Sequence, residues 1–349
     1  MSQKLGSPKP IVEVSRREFL KAAGLVGAGV GVAGLLGACA PAAATAAPEA
    51  AAPAAAKLKA AYIGGGMQVP WVPRGIDAAK QLAELLGVEI TVLDSELSAD
   101  KQIANYEDVA ADTWDFVVIQ SIAVNSGAEI VQKIVDKGIP VINIDGWIAD
   151  PHDKVKIHTM IKSDSVAMGE SLIDYLAAAM NYKGNLVHTQ GLLSHSVAQE
   201  RAEGIKKGLA KYPDIKVIDE TPADWDTNKV QSIWEGLLSK GDKIDAAVFH
   251  NDSMADAAAS VLERAGKLAE VKIGSIDGMP FATDNVINGK FFVVAMNSCC
   301  RIFADALWAG YYAVTAKETD IPKLIIEPSP LITKENAAGY AWFQKHFMW

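Results

Sequence analysis

The sequence predicts an α/β protein of two doubly wound parallel-sheet lobes joined by a hinge, and three observations predict it. Short apolar runs rich in Val and Ile recur from residue 58 to residue 297, the composition of strands buried on both faces of a parallel sheet. Segments with helical spacing of apolar residues separate them. There are about ten runs, many for one open sheet and natural for two sheets of five or six.

The runs are preceded by two addresses. Residues 15–21 carry a twin-arginine pattern around Arg16 and Arg17, which predicts export of an already folded protein. Residues 22–35 are weakly apolar, short and glycine-rich, unlike the ~20 strongly apolar residues of a transmembrane helix. Leu36-Gly37-Ala38-Cys39 then reads as a lipobox, in which cleavage leaves lipid on Cys39. Residues 1–38 are thus expected to be a twin-arginine lipoprotein signal. Residues 39–57, nearly all Ala and Pro, are expected to be a tether, because they offer no core to bury. The location expected is extracytoplasmic and membrane-anchored.

Strands are expected at 58–63, 88–93, 115–120, 140–145 and 158–163, then at 185–190, 215–220, 246–250, 272–277 and 292–297. Helices are expected at 75–86, 164–180, 196–211, 227–238, 253–265 and 301–316. Residues 58–163 with 298–326 make the expected N-terminal lobe, and 164–297 with 327–349 the C-terminal lobe. The chain of 349 residues is long enough for both.

Charge and cysteine content narrow the function. Cleavage before Cys39 removes five basic residues (Lys4, Lys9, Arg16, Arg17, Lys21) and two acidic ones (Glu13, Glu18), taking the formal charge from -9 to −12. A nucleic-acid binder would need the opposite sign. Cys299 and Cys300 are vicinal, which rarely suits a structural disulfide, and they read as buried inert thiols at a helix start. The six histidines show no i,i+4 pair; His188, His195 and His250 read as capping, core or surface residues, and neither a metal nor a cofactor is expected. Gly64-Gly65-Gly66 lacks phosphate-loop spacing, and Pro70 and Pro73 interrupt the place where the following helix would start. No GxSxG, HExxH or P-loop is present, so an enzyme is disfavoured.

In parallel sheets ligands sit beyond the carboxyl ends of the strands, and these ends are polar. They carry Asp145, His250-Asn251-Asp252, Asp277 and Asn297. Each alone reads as a helix cap, with Asp252 rather than Asn251 expected to cap its helix. Arg201 shares the inward face of its helix with Val197 and Ile205 and needs a polar ligand there. Trp71, Trp147 and Trp225 follow strands, whereas Trp114 and Trp308 read as core filler. Aromatic faces with planar Asn, Asp and Arg groups are how proteins hold polyhydroxylated molecules.

These segments also carry a resemblance. Val92-Leu93-Asp94-Ser95, Ile139-Pro140-Val141-Ile142 with Asp145, Gln199-Glu200-Arg201-Ala202-Glu203-Gly204, Pro222-Ala223-Asp224-Trp225-Asp226, Phe249-His250-Asn251-Asp252-Ser253-Met254-Ala255 and Ile276-Asp277-Gly278 resemble, in order, the ribose-type periplasmic sugar-binding proteins. The resemblance covers almost all of residues 59–333. It implies a type I periplasmic binding protein fold, closing on a sugar or polyol and delivering it to an ABC transporter permease. It implies Trp71 and Trp225 as stacking aromatics and Asp145, Arg201, Asn251, Asp277 and Asn297 as hydroxyl partners, with Gln120 and Ser163 contributing less. Trp147 is a further candidate ligand contact.

The chain departs from the ribose receptors in three places. Gly146 and then Trp147 follow Asp145 where they have Arg, Trp71-Val72 stands for paired phenylalanines, and Asn297 is shorter than their Gln. The expected ligand is therefore another pentose, hexose, polyol or less polar sugar. A monomer is expected. A ligand receptor for a sensor or chemotaxis system is the alternative, with an exported enzyme a more distant one.

Overall fold

The computed structural model describes residues 57–316 and 320–347. Arg16, Arg17, Cys39 and the tether through Ala56 lie outside the described residues. No helix among the described residues is long and apolar enough to cross a membrane.

In chain order the elements begin β1 (Leu58–Gly64), α1 (Trp71–Leu86), β2 (Val88–Asp94), α2 (Ala99–Ala111), β3 (Phe116–Ile119), α3 (Ala128–Asp136), β4 (Val141–Ile144) and β5 (Thr159–Ser163). They continue α4 (Ser165–Ala179), β6 (Gly184–Thr189), α5 (Ser196–Leu209), β7 (Ile215–Asp219), α6 (Thr227–Lys240), β8 (Ala246–Phe249), α7 (Asp252–Arg264) and β9 (Lys272–Asp277). The last are α8 (Pro280–Ile287), β10 (Val293–Met296), α9 (Cys299–Thr315), β11 (Leu324–Glu327), β12 (Leu331–Ile332) and α10 (Ala337–His346).

Two six-stranded sheets result, ordered β11-β5-β4-β3-β1-β2 and β12-β10-β9-β8-β6-β7. Every pairing is parallel except β10 with β12. The central strands β3, β4, β8 and β10 are buried at every position, as their apolar runs require, with Asn143 of β4 the one polar residue among them, its Nδ2 donating to the Ile119 carbonyl. β11 and β12 escape a pattern reading because β11 is a largely exposed edge and β12 has only two residues. The chain passes between the sheets after β5, after β10 and after β11. Residue 326, the expected lobe limit, falls inside β11, whose Glu327 pairs with Ser163.

Helix α1 begins four residues earlier than expected. Pro70 is its cap and Pro73 falls in the first turn, where backbone N–H groups have no partner within the helix. The prolines therefore start this helix rather than interrupt it. Of the two expected core tryptophans, Trp114 is half-buried against the core around Tyr106, and Trp308 stacks on Tyr312 at 5.2 Å. The large indole that is fully buried is Trp234.

Helix α5 lies unusually close to α4. A Cβ at Gly204 would fall 2.0 Å from the Val166 carbonyl oxygen, so only glycine permits this approach. The contact fixes the position of Arg201, one turn earlier on α5.

Candidate ligand-binding site between the two sheets

The carboxyl ends of both sheets face a cavity of about 410 Å³, part of it open to solvent. Of the ten residues expected to contact a ligand, Trp71, Gln120, Asp145, Arg201, Trp225, Asn251, Asp277 and Asn297 line it. They come from elements far apart in sequence, brought together because parallel strands all end on one rim.

On the first-sheet side, Gln120 follows β3. Its Oε1 accepts from the Gly65 backbone N–H at 2.9 Å, and its Nε2 donates to Asp145 Oδ2 at 3.2 Å. Asp145 follows β4 with φ at 61°, a left-handed conformation that non-glycine residues rarely hold. Trp71, the first residue of α1, donates from Nε1 to the Asn297 carbonyl at 2.7 Å and packs edge-on against Phe303 at 5.4 Å. Its ring is thereby held at the cavity wall.

On the second-sheet side, Arg201 is 3% exposed. Its Nη1 donates to the His250 carbonyl, and Nη2 lies 3.6 Å from Asp277 Oδ1. Its buried Nε has no hydrogen-bond partner among the described residues. Asp277 ends β9 with φ at 134°. Burial pushes its carboxyl well above the ordinary carboxylate range; Arg201 opposes this, and Asp252 and Asp145 reinforce it. Asn297 donates its backbone N–H to the Asp277 carbonyl at 2.9 Å, and its side-chain Oδ1 is buried without a partner among the described residues.

The cap of α7 corrects the sequence expectation. Asn251, not Asp252, accepts from the Met254 N–H at 2.9 Å. Asn251 has the extended backbone a cap needs, whereas Asp252 is already helical. Asp252 instead accepts from Ser275 Oγ at 2.5 Å and from the Met279 N–H at 2.7 Å, joining β9 to the start of α8. Burial raises its carboxyl too.

Trp147 and Ser163 are not on the cavity wall. The Trp147 ring stacks on His152 at 3.7 Å, its Nε1 donates to Glu200 Oε1 at 3.2 Å, and its backbone N–H donates to Ser196 Oγ at 2.8 Å. It therefore joins the lobes outside the cavity. Ser163 is buried at the end of β5, its Oγ unpartnered among the described residues.

Sequence reasoning missed three participants. Glu200, beside Arg201, also accepts from Lys162 across the lobes, a pair invisible at a separation of 38 residues. His195, expected only as a cap, core or surface residue, caps α5 through Nδ1, which accepts from the Val197 N–H at 3.1 Å, and also lines the cavity. No periodicity marks it, because it lies in the loop before the helix. His188 and His250 are core residues, their Nε2 atoms 2.8 Å apart. Cys299 and Cys300 are buried free thiols at the start of α9. Among the described residues no three His, Cys, Asp or Glu side chains are grouped to hold a metal.

The wall thus offers donors from Arg201, Asn251 and Gln120 and acceptors from Asp145, Asp277 and Asn297, beside Trp71 and Trp225. One guanidinium faces two carboxyl groups, a balance that suits neutral hydroxyls better than an anion.

The periplasmic binding protein domain matches residues 48–318. The chain is 30% identical over 214 residues to the ribose import binding protein RbsB of Salmonella typhimurium, covering 61% of this chain and 70% of that protein. It is 26% identical over 273 residues to the xylitol-binding protein of Mycolicibacterium smegmatis, covering 76% of this chain and 74% of the relative. The fold matches a crystal structure of a galactofuranose binding protein with a TM-score of 0.78 at 24% identity, covering 84% of this chain and 100% of that one. These relatives are solute-binding proteins and not enzymes. The chain belongs to the periplasmic binding protein family.

Proposed function

We propose that this protein is a lipid-anchored receptor that closes on a neutral sugar or polyol and delivers it to an ABC importer. The observation that carries this reading is the single cavity lined by Asp145 and Gln120 from the first sheet and Arg201, Asn251 and Asp277 from the second. A ligand touching both sets stabilises the closed arrangement, because only there do both reach it. The named relatives bind ribose, xylitol and galactofuranose, which agree in being neutral and rich in hydroxyls. Trp71 and Trp225 supply the apolar faces that C–H surfaces of such molecules pack against.

A thermal-shift screen tests the reading, since saturating ligand raises apparent stability. Neutral pentoses, furanose-forming hexoses and cyclic or acyclic polyols should include a stabilising member. Sugar phosphates and sugar acids should not. Stabilisation by anions alone, or turnover of a bound sugar, would overturn it. The anchor is tested separately: Cys39→Ser should move the protein from the membrane to the soluble fraction, and Arg16→Lys with Arg17→Lys should block its export.

A further inference from the structure

The backbone at residue 146 leaves no room for a side chain. A Cβ there would lie 2.5 Å from His195 Cε1 and 2.5 Å from the Ser121 carbonyl oxygen. A histidine carried by the second lobe thus fills the space beside Asp145 that a longer residue at 146 would need. The ring is fixed on three sides. Nδ1 is occupied by the Val197 N–H, the ring packs perpendicular to that of Trp225 with centroids 5.0 Å apart, and the residue is 2% exposed.

The Val197 contact also fixes the tautomer. With Nδ1 accepting, the neutral ring carries its proton on Nε2 and presents it as a donor. Burial pushes the histidine down to about 4, helped by Arg201 and Lys162 and opposed by Asp145, so the ring is neutral near pH 7. The nearest carboxylate oxygen to Nε2 is Asp145 Oδ2, 4.0 Å away and too far for a direct hydrogen bond. A hydroxyl oxygen about 2.8 Å from each of these atoms forms a bent bridge across that gap, accepting from Nε2–H and donating to the carboxylate.

We propose that His195 is a ligand-binding, specificity-determining residue whose Nε2–H, with Asp145 of the opposite lobe, grips one hydroxyl of the bound polyol. This inference rests on the reading of the cavity as a polyol site. Because the two groups come from different lobes, that hydroxyl also latches the closed form. An analogue lacking it leaves the His195 donor without a partner and Asp145 Oδ2 with Gln120 alone.

The test is calorimetric titration of wild type, His195→Phe and Gly146→Ala with D-ribose, xylitol, myo-inositol and D-allose, and with monodeoxy analogues of whichever binds. His195→Phe keeps a ring and removes the donor; Gly146→Ala displaces the histidine without altering it. Both variants should weaken binding about 10- to 100-fold. One monodeoxy analogue should lose a similar factor on wild type and a clearly smaller one on His195→Phe, where Asp145 alone still holds the hydroxyl. As a measurement independent of how well the variants fold, bound polyol should shift one imidazole Nε2 resonance of the wild-type protein.

Equal affinity of wild type and His195→Phe would overturn the role of His195 while leaving the polyol site standing. So would deoxy losses that are the same in both proteins, or an unmoved imidazole spectrum at saturation. Failure of wild type to bind any neutral sugar or polyol would overturn the reading of the cavity itself, and this inference with it.

Discussion

Asp145 and Asp277 are counterparts, each at a strand end of its own sheet with positive φ and each 7% exposed, yet they are supported differently. Asp277 is completed within its own lobe. Arg201 approaches it at 3.6 Å, Asn297 donates to its carbonyl, and Asp252 lies close enough to raise its carboxyl. Asp145 has Gln120 beside it, and its other neighbour, His195, arrives from across the cleft at 4.0 Å. Under the proposed function, one half of the site would be built before closure and the other finished by it, so that ligand would dock on the second lobe and the first lobe would close over it.

Four measurements would break or sharpen this comparison. The largest effect belongs to Arg201→Met, which strands buried carboxyl groups and the His250 carbonyl. It should destabilise the unliganded protein by about 3–5 kcal/mol in a denaturant titration and abolish binding. Unchanged stability would mean that the second lobe is not preassembled.

Next comes pH. His195 titrates at about 4 when folded against an ordinary 6.5, so below 6.5 the unfolded chain takes up a proton that the folded form refuses. Stability on its account is lost as pH falls from 6.5 toward 4, by ~3 kcal/mol at most. Asp252 and Asp277, raised by burial, act in the opposite direction, because the folded form binds their protons first. The test is therefore a difference: His195→Asn should lose less stability than wild type between pH 6.5 and 4 in thermal melts.

Asp145→Asn should then weaken ligand binding by about 1–3 kcal/mol in calorimetry while changing unliganded stability by less than about 1 kcal/mol. Smallest is Trp147→Phe, which removes the donor to Glu200 outside the cavity. It should cost about 0.5–1.5 kcal/mol of closed-state stability, read as a few-fold loss of affinity with no change in which sugars bind.

Strand ends were legible in the sequence because polarity after an apolar run survives without knowledge of neighbours. Asp145, Asn251, Asp277 and Asn297 all announced themselves in this way, and Arg201 did so through its place on an apolar helix face. What stayed hidden depended on partners distant in the chain. Asn251 and Asp252 are chemically alike as caps, and only Ser275 and Met279 assign Asp252 its other role. Trp147 follows a strand as Trp71 does, but Glu200 and His152 turn it outward. β11 is short, mostly exposed and set between prolines, so nothing in its pattern separated it from a loop.

The close seating of α5 on α4 has a mechanical side. α4 starts immediately after the first crossing, at the Asp164 cap, and Gly204 lets α5 press against it backbone to backbone. Under the proposed closure, with the bend at the crossing beside Ser163, the two helices would turn as one body. Glu200, paired with Lys162, and Arg201, at the cavity wall, would then move together. Substituting Gly204 would slacken that linkage and uncouple the bend from the grip without touching a single group that meets the ligand.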